Sequence, residues 1–112
     1  MRLDDETERE NRVAEDNARL NEKRGRIAFR AWRRGFREAD LVLGPFVERE
    51  GPSLTEAELD ELEALLNIDD QYLYAWIIGR EPTPAEHETP LMARIRTFMR
   101  DHVAAVVAQG AG

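Results

Sequence analysis

Apolar residues recur at helical spacing over most of the chain, and no segment shows the alternation of apolar and polar residues that is typical of a strand. A first run predicts a helix that is interrupted at Gly35; it comprises Ile27, Ala28, Ala31 and Trp32. A second run repeats at i, i+3, i+4, i+7 and i+8 and predicts an amphipathic helix; it comprises Ala39, Val42, Leu43, Phe46 and Val47. Pro45 lies inside this run and lacks a backbone donor, so we expect a bend there.

Helix start and stop signals predict three further helices. Thr55 and Glu58 have the spacing of a capping box, and Asn67 is a candidate left-handed stop for the helix that follows them. Asp69 is the expected cap of the next helix, which would run to Gly79. Thr89 before Pro90 predicts the start of the last helix. Four to five helices joined by short loops predict an all-α fold, a small five-helix bundle.

The first 24 residues differ from the rest because charged residues occur on almost every side of any helix drawn through them. We therefore expect residues 1–24 to form a charged, flexible extension, disordered or loosely helical, outside the folded core. Residues 25–108 are the expected helical bundle domain, and residues 109–112 are the expected flexible tail.

Composition narrows the function classes. The 112-residue chain has no cysteine, which excludes disulfides, thiolate metal sites and cysteine nucleophiles. No apolar run approaches the roughly 18 to 20 residues needed to span a bilayer. The first 22 residues hold eight acids, which argues against a secretory signal and a transit peptide. We expect a soluble protein of the bacterial cytoplasm.

The net charge of −7 is unevenly distributed. Residues 23–37 hold seven basic residues and no acid, whereas residues 38–88 hold fourteen acids and two arginines. Phe29, Trp32 and Phe36 interleave with the basic residues, so an alternative hypothesis is a nucleic-acid-binding helical module that uses residues 23–37. Against it, Trp32 lies on the expected buried stripe, and the acidic remainder of the chain would repel a polyanion.

The sequence offers no convincing catalytic or metal site. An acidic face is expected to be a solvated helix surface, because carboxylates alone at these spacings do not converge on a cation; it comprises Glu56, Glu58, Asp60, Glu61 and Glu63. Of the two histidines, we expect His87 to be exposed and His102, near a helix end, to be a packed or capping residue. With Ser53 in a turn, no nucleophile has a plausible base. We therefore expect no enzyme activity and no bound metal.

An aromatic cluster on the fourth predicted helix has two interpretations. Tyr72, Tyr74 and Trp76 would line a cofactor pocket or belong to the core, and helical spacing favours the core. Tyr74 is offset from the apolar face and stays open as a surface contact.

The six letters "RRGFRE", Arg33 to Glu38, stand between the first two predicted helices. A helix corner explains Gly35, which would turn the chain, and Glu38, which would stabilise the next helix start. It does not explain three arginines crowded around them. A glycine also permits close approach of another backbone, and Arg34 with Glu38 would flank that contact with opposite charges. We interpret this stretch as a docking point.

An Arg-Gly-x-x-Glu motif is formed by Arg34, Gly35 and Glu38, and "EADLVLGPF" and "LTEAELDELEALLNIDDQYLYAWIIGREP" follow it. In these features the sequence resembles the succinate dehydrogenase flavinylation factors, also called FAD assembly factors or succinate dehydrogenase assembly factor 2. The resemblance covers about residues 26–105. It implies a five-helix bundle that binds the flavoprotein subunit of succinate dehydrogenase and, in some bacteria, that of fumarate reductase.

The resemblance also implies an assembly factor that promotes covalent attachment of FAD to a histidine of its partner. Arg34, Gly35 and Glu38 would carry the docking, and charge adds Arg33 and Arg37. The chain would hold no FAD of its own, since no glycine-rich phosphate loop follows a strand. An adaptor that binds the dehydrogenase without promoting flavinylation is not separated from this hypothesis by sequence.

Overall fold

The fold consists of helices throughout the part of the chain that the computed structural model describes, which is residues 3–110, with side chains for residues 6–105. Five α-helices follow one another: α1 Leu3–Trp32, α2 Arg37–Glu50, α3 Glu56–Leu65, α4 Asp70–Ile77 and α5 Pro90–Gly110. Short 3₁₀ turns occupy Gly51–Ser53 and Ala85–His87. Residues 3–110 contain no strand, and the all-α, five-helix prediction is confirmed.

The core receives side chains from all five helices. Its largest fully buried side chains are Phe46, Ile27, Leu43, Leu59, Leu62, Leu65, Leu73, Ile77, Leu91, Met92 and Ile95. Each contributes about 1.5 to 3 kcal/mol relative to an exposed side chain. Ile27, Leu43 and Phe46 lie on the apolar stripes predicted for the first two helices, so helical periodicity located this part of the core correctly.

The predicted caps agree with the structure, whereas one predicted stop does not. Thr55 and Glu58 form the capping box, the Asp69 carboxylate accepts from the Gln71 N–H at 3.0 Å, and Thr89 Oγ1 accepts from the Met92 N–H at 3.2 Å. The left-handed stop at Asn67 is wrong, since only glycines have positive φ in the described residues. The Asn67 N–H instead bonds Ala64 O at 3.1 Å, a 3₁₀-type bond that ends the helix without a left-handed residue.

Pro45 lies within α2 as expected, the helix continues through it to Glu50, and the expected bend stays a prediction. α1 runs across the expected boundary between residues 24 and 25 without a break, and Leu20 packs against the core. Acid–arginine pairs four residues apart, such as Glu8–Arg12, favour this helical extension. The flexibility of residues 1–24 and of the tail stays a prediction, and residues 1, 2, 111 and 112 lie outside the described residues.

α1 and α3 run parallel and are joined by a ladder of side-chain contacts at a constant offset of 37 residues. Its rungs, from the N-terminal end, are Arg19–Glu56, Lys23–Asp60, Arg26–Glu63 at 2.9 Å and Arg30–Asn67 at 2.7 Å. Both helices place these residues four, three and four positions apart, which keeps them on one face. The acidic face of α3 therefore also pairs with basic residues of α1, while Glu58 forms the expected capping box and Asp60 stays exposed.

The ladder predicts an acid-sensitive stability. The hydrogen bond from Arg26 holds the pKa of Glu63 below its ordinary value, and Arg19 does the same for Glu56. A carboxylate with a lowered folded pKa contributes stability above its unfolded pKa, about 4.3 for glutamate, and loses it as pH falls through the folded pKa. We expect the urea midpoint to decline below about pH 4.3, and less steeply in Glu63→Gln.

Arg26→Gln removes the other half of the same rung and is the matched control for that measurement. It is expected to give the same reduced decline as Glu63→Gln. A Glu63→Gln protein whose urea midpoint falls as steeply as that of the native protein would contradict the ladder.

Candidate functional site

The corner between α1 and α2 places its glycine in open space. α1 ends at Trp32, α2 begins at Arg37, and Gly35 between them has φ +82°, a conformation that side-chain-bearing residues rarely adopt. A Cβ built at Gly35 would have no described atom within 4 Å beyond its chain neighbours. Backbone geometry therefore requires the glycine, and its outer side is open to another chain.

Arg34 points into the protein. Its Nη1 donates to Leu66 O at 2.7 Å, its Nη2 donates to Ile68 O at 2.6 Å, and its Nε bonds the Asp70 carboxylate. The side chain is only 6% exposed. Its guanidinium clamps the corner to the α3–α4 loop, and the docking role expected of Arg34 stays a prediction. Any part that Arg34 has in docking is that of a positioning residue.

The outward half of the corner is formed by the other candidate residues. Glu38 and Arg37 are exposed, and neither side chain has a hydrogen-bond or ion-pair partner among residues 6–105. The Arg33 guanidinium lies 4.1 Å from the centroid of the exposed Phe29 ring, which is cation–π geometry. Gly35, Arg33, Arg37 and Glu38 thus form one exposed surface, and Arg34 lies beneath it.

A second polar contact secures the corner from α2. The Arg34 backbone N–H donates to the Asp40 carboxylate at 3.0 Å, so the residue before Gly35 is held from both sides. Asp40 and Asp70 were missed by sequence reasoning. The signal for Asp40 was its place in the first turn of α2, where an acidic side chain can accept from a preceding backbone N–H.

An open groove of about 350 Å³ adjoins the corner on the α4 side. It is lined by α1 residues and by the α3–α4 loop: Phe29, Arg30, Arg33, Arg34, Leu66, Ile68, Asp69 and Asp70. Arg30 and Arg34 already bond the Leu66 carbonyl in the wall of the groove. Arg33 alone does not make a free cluster of positive charge.

The opposite side of the corner carries a tryptophan that is fixed in place. The Trp32 ring lies flat against α2 at Gly44, where a Cβ would overlap the ring atoms. The Trp32 indole Nε1 donates to Glu48 Oε1 at 2.9 Å. Trp32 is therefore only partly buried, and the expectation that it belongs to the core is corrected. Gly44 was not recognised from sequence as the residue that makes room for the ring.

The aromatic residues of α4 have a different arrangement from the expected one. Tyr72 is 62% exposed, so its placement in the core is wrong. Tyr74, left open as a surface contact, packs edge to face on Phe36 with centroids 5.4 Å apart. Trp76 stacks on His87 at 5.4 Å, which partly covers a histidine that we expected to be exposed. The reason is that Leu73 and Ile77 occupy the buried centre of α4, leaving Tyr72 on the outer side.

The remaining candidate groups have structural partners. His102 stacks on Phe98 with centroids 5.5 Å apart, in agreement with its expected packing. Glu58 accepts the backbone N–H of Thr55 at 2.9 Å, and this bond holds the pKa of Glu58 below its ordinary value. Within the described residues, no cluster of three potential metal ligands occurs. No helix there has an apolar stretch long enough to cross a membrane.

Fold and site together define a small all-α protein whose candidate site is an exposed surface at a helix corner. The family model described as "Flavinator of succinate dehydrogenase" matches residues 25–99, which include the whole corner. The chain belongs to this family.

Curated relatives agree with the family model. The chain is 42% identical over 83 residues to FAD assembly factor SdhE of Acetobacter pasteurianus, covering 74% of each chain. It is 48% identical over 58 residues to the Vibrio cholerae protein of that name, covering 52% of this chain and 66% of that one. With the Legionella pneumophila (strain Lens) protein of that name it shares 39% identity over 81 residues, or 72% and 95% of the two chains. No solved structure matches this chain.

Proposed function

We propose that this chain promotes covalent attachment of FAD to a histidine of the succinate dehydrogenase flavoprotein subunit, which it docks through the α1–α2 corner. The observation that carries the proposal is membership of the flavinator family over residues 25–99. The names of the relatives, FAD assembly factors, support the same role. The flavoprotein of fumarate reductase is proposed as a second client, and the bacterial cytoplasm as the location.

The geometry suits a factor that acts by binding. Gly35 allows a client backbone to approach, and the unpaired Glu38 carboxylate is available to a basic group of the client. Covalent attachment would join a histidine of the client to FAD held by the client, so both reacting groups belong to the client and its FAD. The factor accelerates the step by preferring the client conformer in which these groups are in near-attack geometry. We propose that the chain is not an enzyme and carries no cofactor.

The arrangement of the basic segment argues against the nucleic-acid alternative. Lys23, Arg26 and Arg34 are ion-paired with acids of α3 and α4. Arg24 and Arg30 bond the backbone carbonyls of Gly51 and Leu66. Among the residues whose side chains the structure describes, only Arg33 and Arg37 of this segment present guanidinium groups without such bonds. Phosphate binding depends on free cations that displace counterions, so residues 23–37 are poorly suited to it.

The function is tested by the gain of covalent flavin in the purified apo-flavoprotein. The subunit is incubated with FAD, with and without this chain, and flavin fluorescence of its band is followed on a denaturing gel. We expect a faster gain with the native chain, because docking raises the population of the reactive conformer. The folded Gly35→Arg variant is expected to lose the acceleration, since its side chain would occupy the open side of the corner. Equal rates with and without the native chain would contradict the proposal.

A further inference from the structure

An apolar strip continues from the corner along the outer face of α2. Leu41 is 49% exposed although it is a leucine in the middle of a folded helix. It lies three residues after Glu38, and Pro45 follows four residues later and is only partly buried. Residues at this spacing share one helix face, so Glu38, Leu41 and Pro45 form a continuous line.

Trp32 borders this strip as a rigid aromatic surface. Gly44 lets its ring lie flat on α2, and the bond to Glu48 fixes the orientation of the indole. A side chain that is already immobilised loses little conformational entropy on binding, and tryptophan is enriched among the residues that dominate interface energies. The partly exposed Trp32 ring thus has the properties of a preorganised contact residue.

The charged residues at the two ends of the strip indicate which kind of side chain it binds. The unpaired Glu38 carboxylate stands at its start, and the exposed Glu48 stands at its end with one oxygen held by the indole. An apolar line between two carboxylates is complementary to an apolar side chain that has a basic side chain next to it. Among the other large exposed apolar residues of the described chain, Phe29 lies under the Arg33 guanidinium, and Val13 and Val103 lie outside the family match at residues 25–99.

We propose that Trp32, Leu41 and Pro45, here called the α2 strip, form a second part of the docking surface for the client flavoprotein. The strip binds an apolar side chain of that flavoprotein, and Glu38 binds the basic side chain beside it. The inference rests on the proposed function and adds contact residues that the Arg-Gly-x-x-Glu motif does not contain. The strip contributes affinity, whereas the chemistry stays with the client and its FAD.

The test measures the rate of covalent flavin attachment as a function of the concentration of this chain. Leu41→Ser is expected to raise the half-saturating concentration about tenfold, the effect of losing one interface anchor, with the maximal rate unchanged. Trp32→Phe keeps a ring against Gly44 but removes the N–H that bonds Glu48, and it is expected to raise the same concentration. Val103→Ser is the matched control, because Val103 is a 46% exposed helical residue far from the corner in sequence.

The possible outcomes distinguish a failure of the α2 strip from a failure of the proposed function. A raised half-saturating concentration for Leu41→Ser, with Val103→Ser like the native chain, supports the α2 strip. If Gly35→Arg abolishes acceleration while folded Leu41→Ser and Trp32→Phe match the native chain, the strip is overturned and the proposed function stands. If the native chain gives no acceleration at any concentration, the proposed function and the strip both fail. Circular dichroism and thermal melting establish that each variant is folded.

Discussion

Gly44→Ala is expected to lower the free energy of unfolding by about 2 to 3 kcal/mol, the cost of forcing an extra group into a packed site. The added methyl group would overlap the Trp32 ring, which lies against α2 and donates a hydrogen bond to Glu48. The ring would have to leave its place, and its hydrogen bond to Glu48 would be lost with it. Urea unfolding followed by circular dichroism measures the change.

Gly25→Ala is the matched control for this result. Gly25 is also a helical glycine, but a Cβ there would have no atom within 4 Å. Because alanine has the higher helix propensity, Gly25→Ala is expected to stabilise the protein by about 0.5 to 1 kcal/mol. Adding Trp32→Ser to Gly44→Ala removes the overlap and is expected to make the alanine itself harmless. Equal stability of Gly44→Ala and Gly25→Ala would show that Trp32 does not lie against Gly44.

Arg34→Ala is expected to lower the free energy of unfolding by about 3 kcal/mol, since it leaves buried partners of a charged group unpaired. The Ile68 carbonyl and the Asp70 carboxylate would lose the Arg34 donor, and the Leu66 carbonyl would keep only its bond from Arg30. The corner would also detach from the α3–α4 loop, so docking would weaken along with stability. Denaturant unfolding of the purified variant measures the first effect.

Arg33→Ala, at the adjacent residue, is the matched control, because the Arg33 guanidinium lies on the surface over Phe29. Exposed substitutions usually stay within about 0.5 kcal/mol, and we expect that here. A double-mutant cycle of Arg34→Ala with Asp70→Ala is expected to give a coupling of about 1 to 3 kcal/mol, the range for residues in contact. Equal effects of Arg33→Ala and Arg34→Ala would contradict the inward orientation of Arg34.

Features that depend on neighbouring residues were predictable from the sequence. The caps at Thr55, Asp69 and Thr89 and the apolar stripes were predicted correctly, because a cap or a stripe involves positions within about one helical turn. The corner at Gly35 follows the same logic, since one left-handed residue decides it. The presence of a contact surface there was an interpretation of charge and of the family resemblance.

Features that depend on which helices meet were not predictable in this way. The ladder joins residues 37 positions apart, and only the fold brings them together. A hint was present, because the basic residues of α1 and the polar residues of α3 have the same four-three-four spacing. The inward turn of Arg34 had no local signal, since its acceptors lie in the α3–α4 loop. The exposure of Tyr72 was missed because several faces of α4 carry apolar or aromatic residues.

The most direct test of the central claim is the covalent-flavin assay with Glu38→Ala beside Glu81→Ala. Both residues are exposed, and neither side chain has a hydrogen-bond or ion-pair partner in the part of the chain that the structure describes, but only Glu38 belongs to the corner. If the corner docks the client flavoprotein, Glu38→Ala loses the acceleration and Glu81→Ala retains it. Full acceleration by a folded Glu38→Ala variant would contradict the claim that this corner is the docking surface.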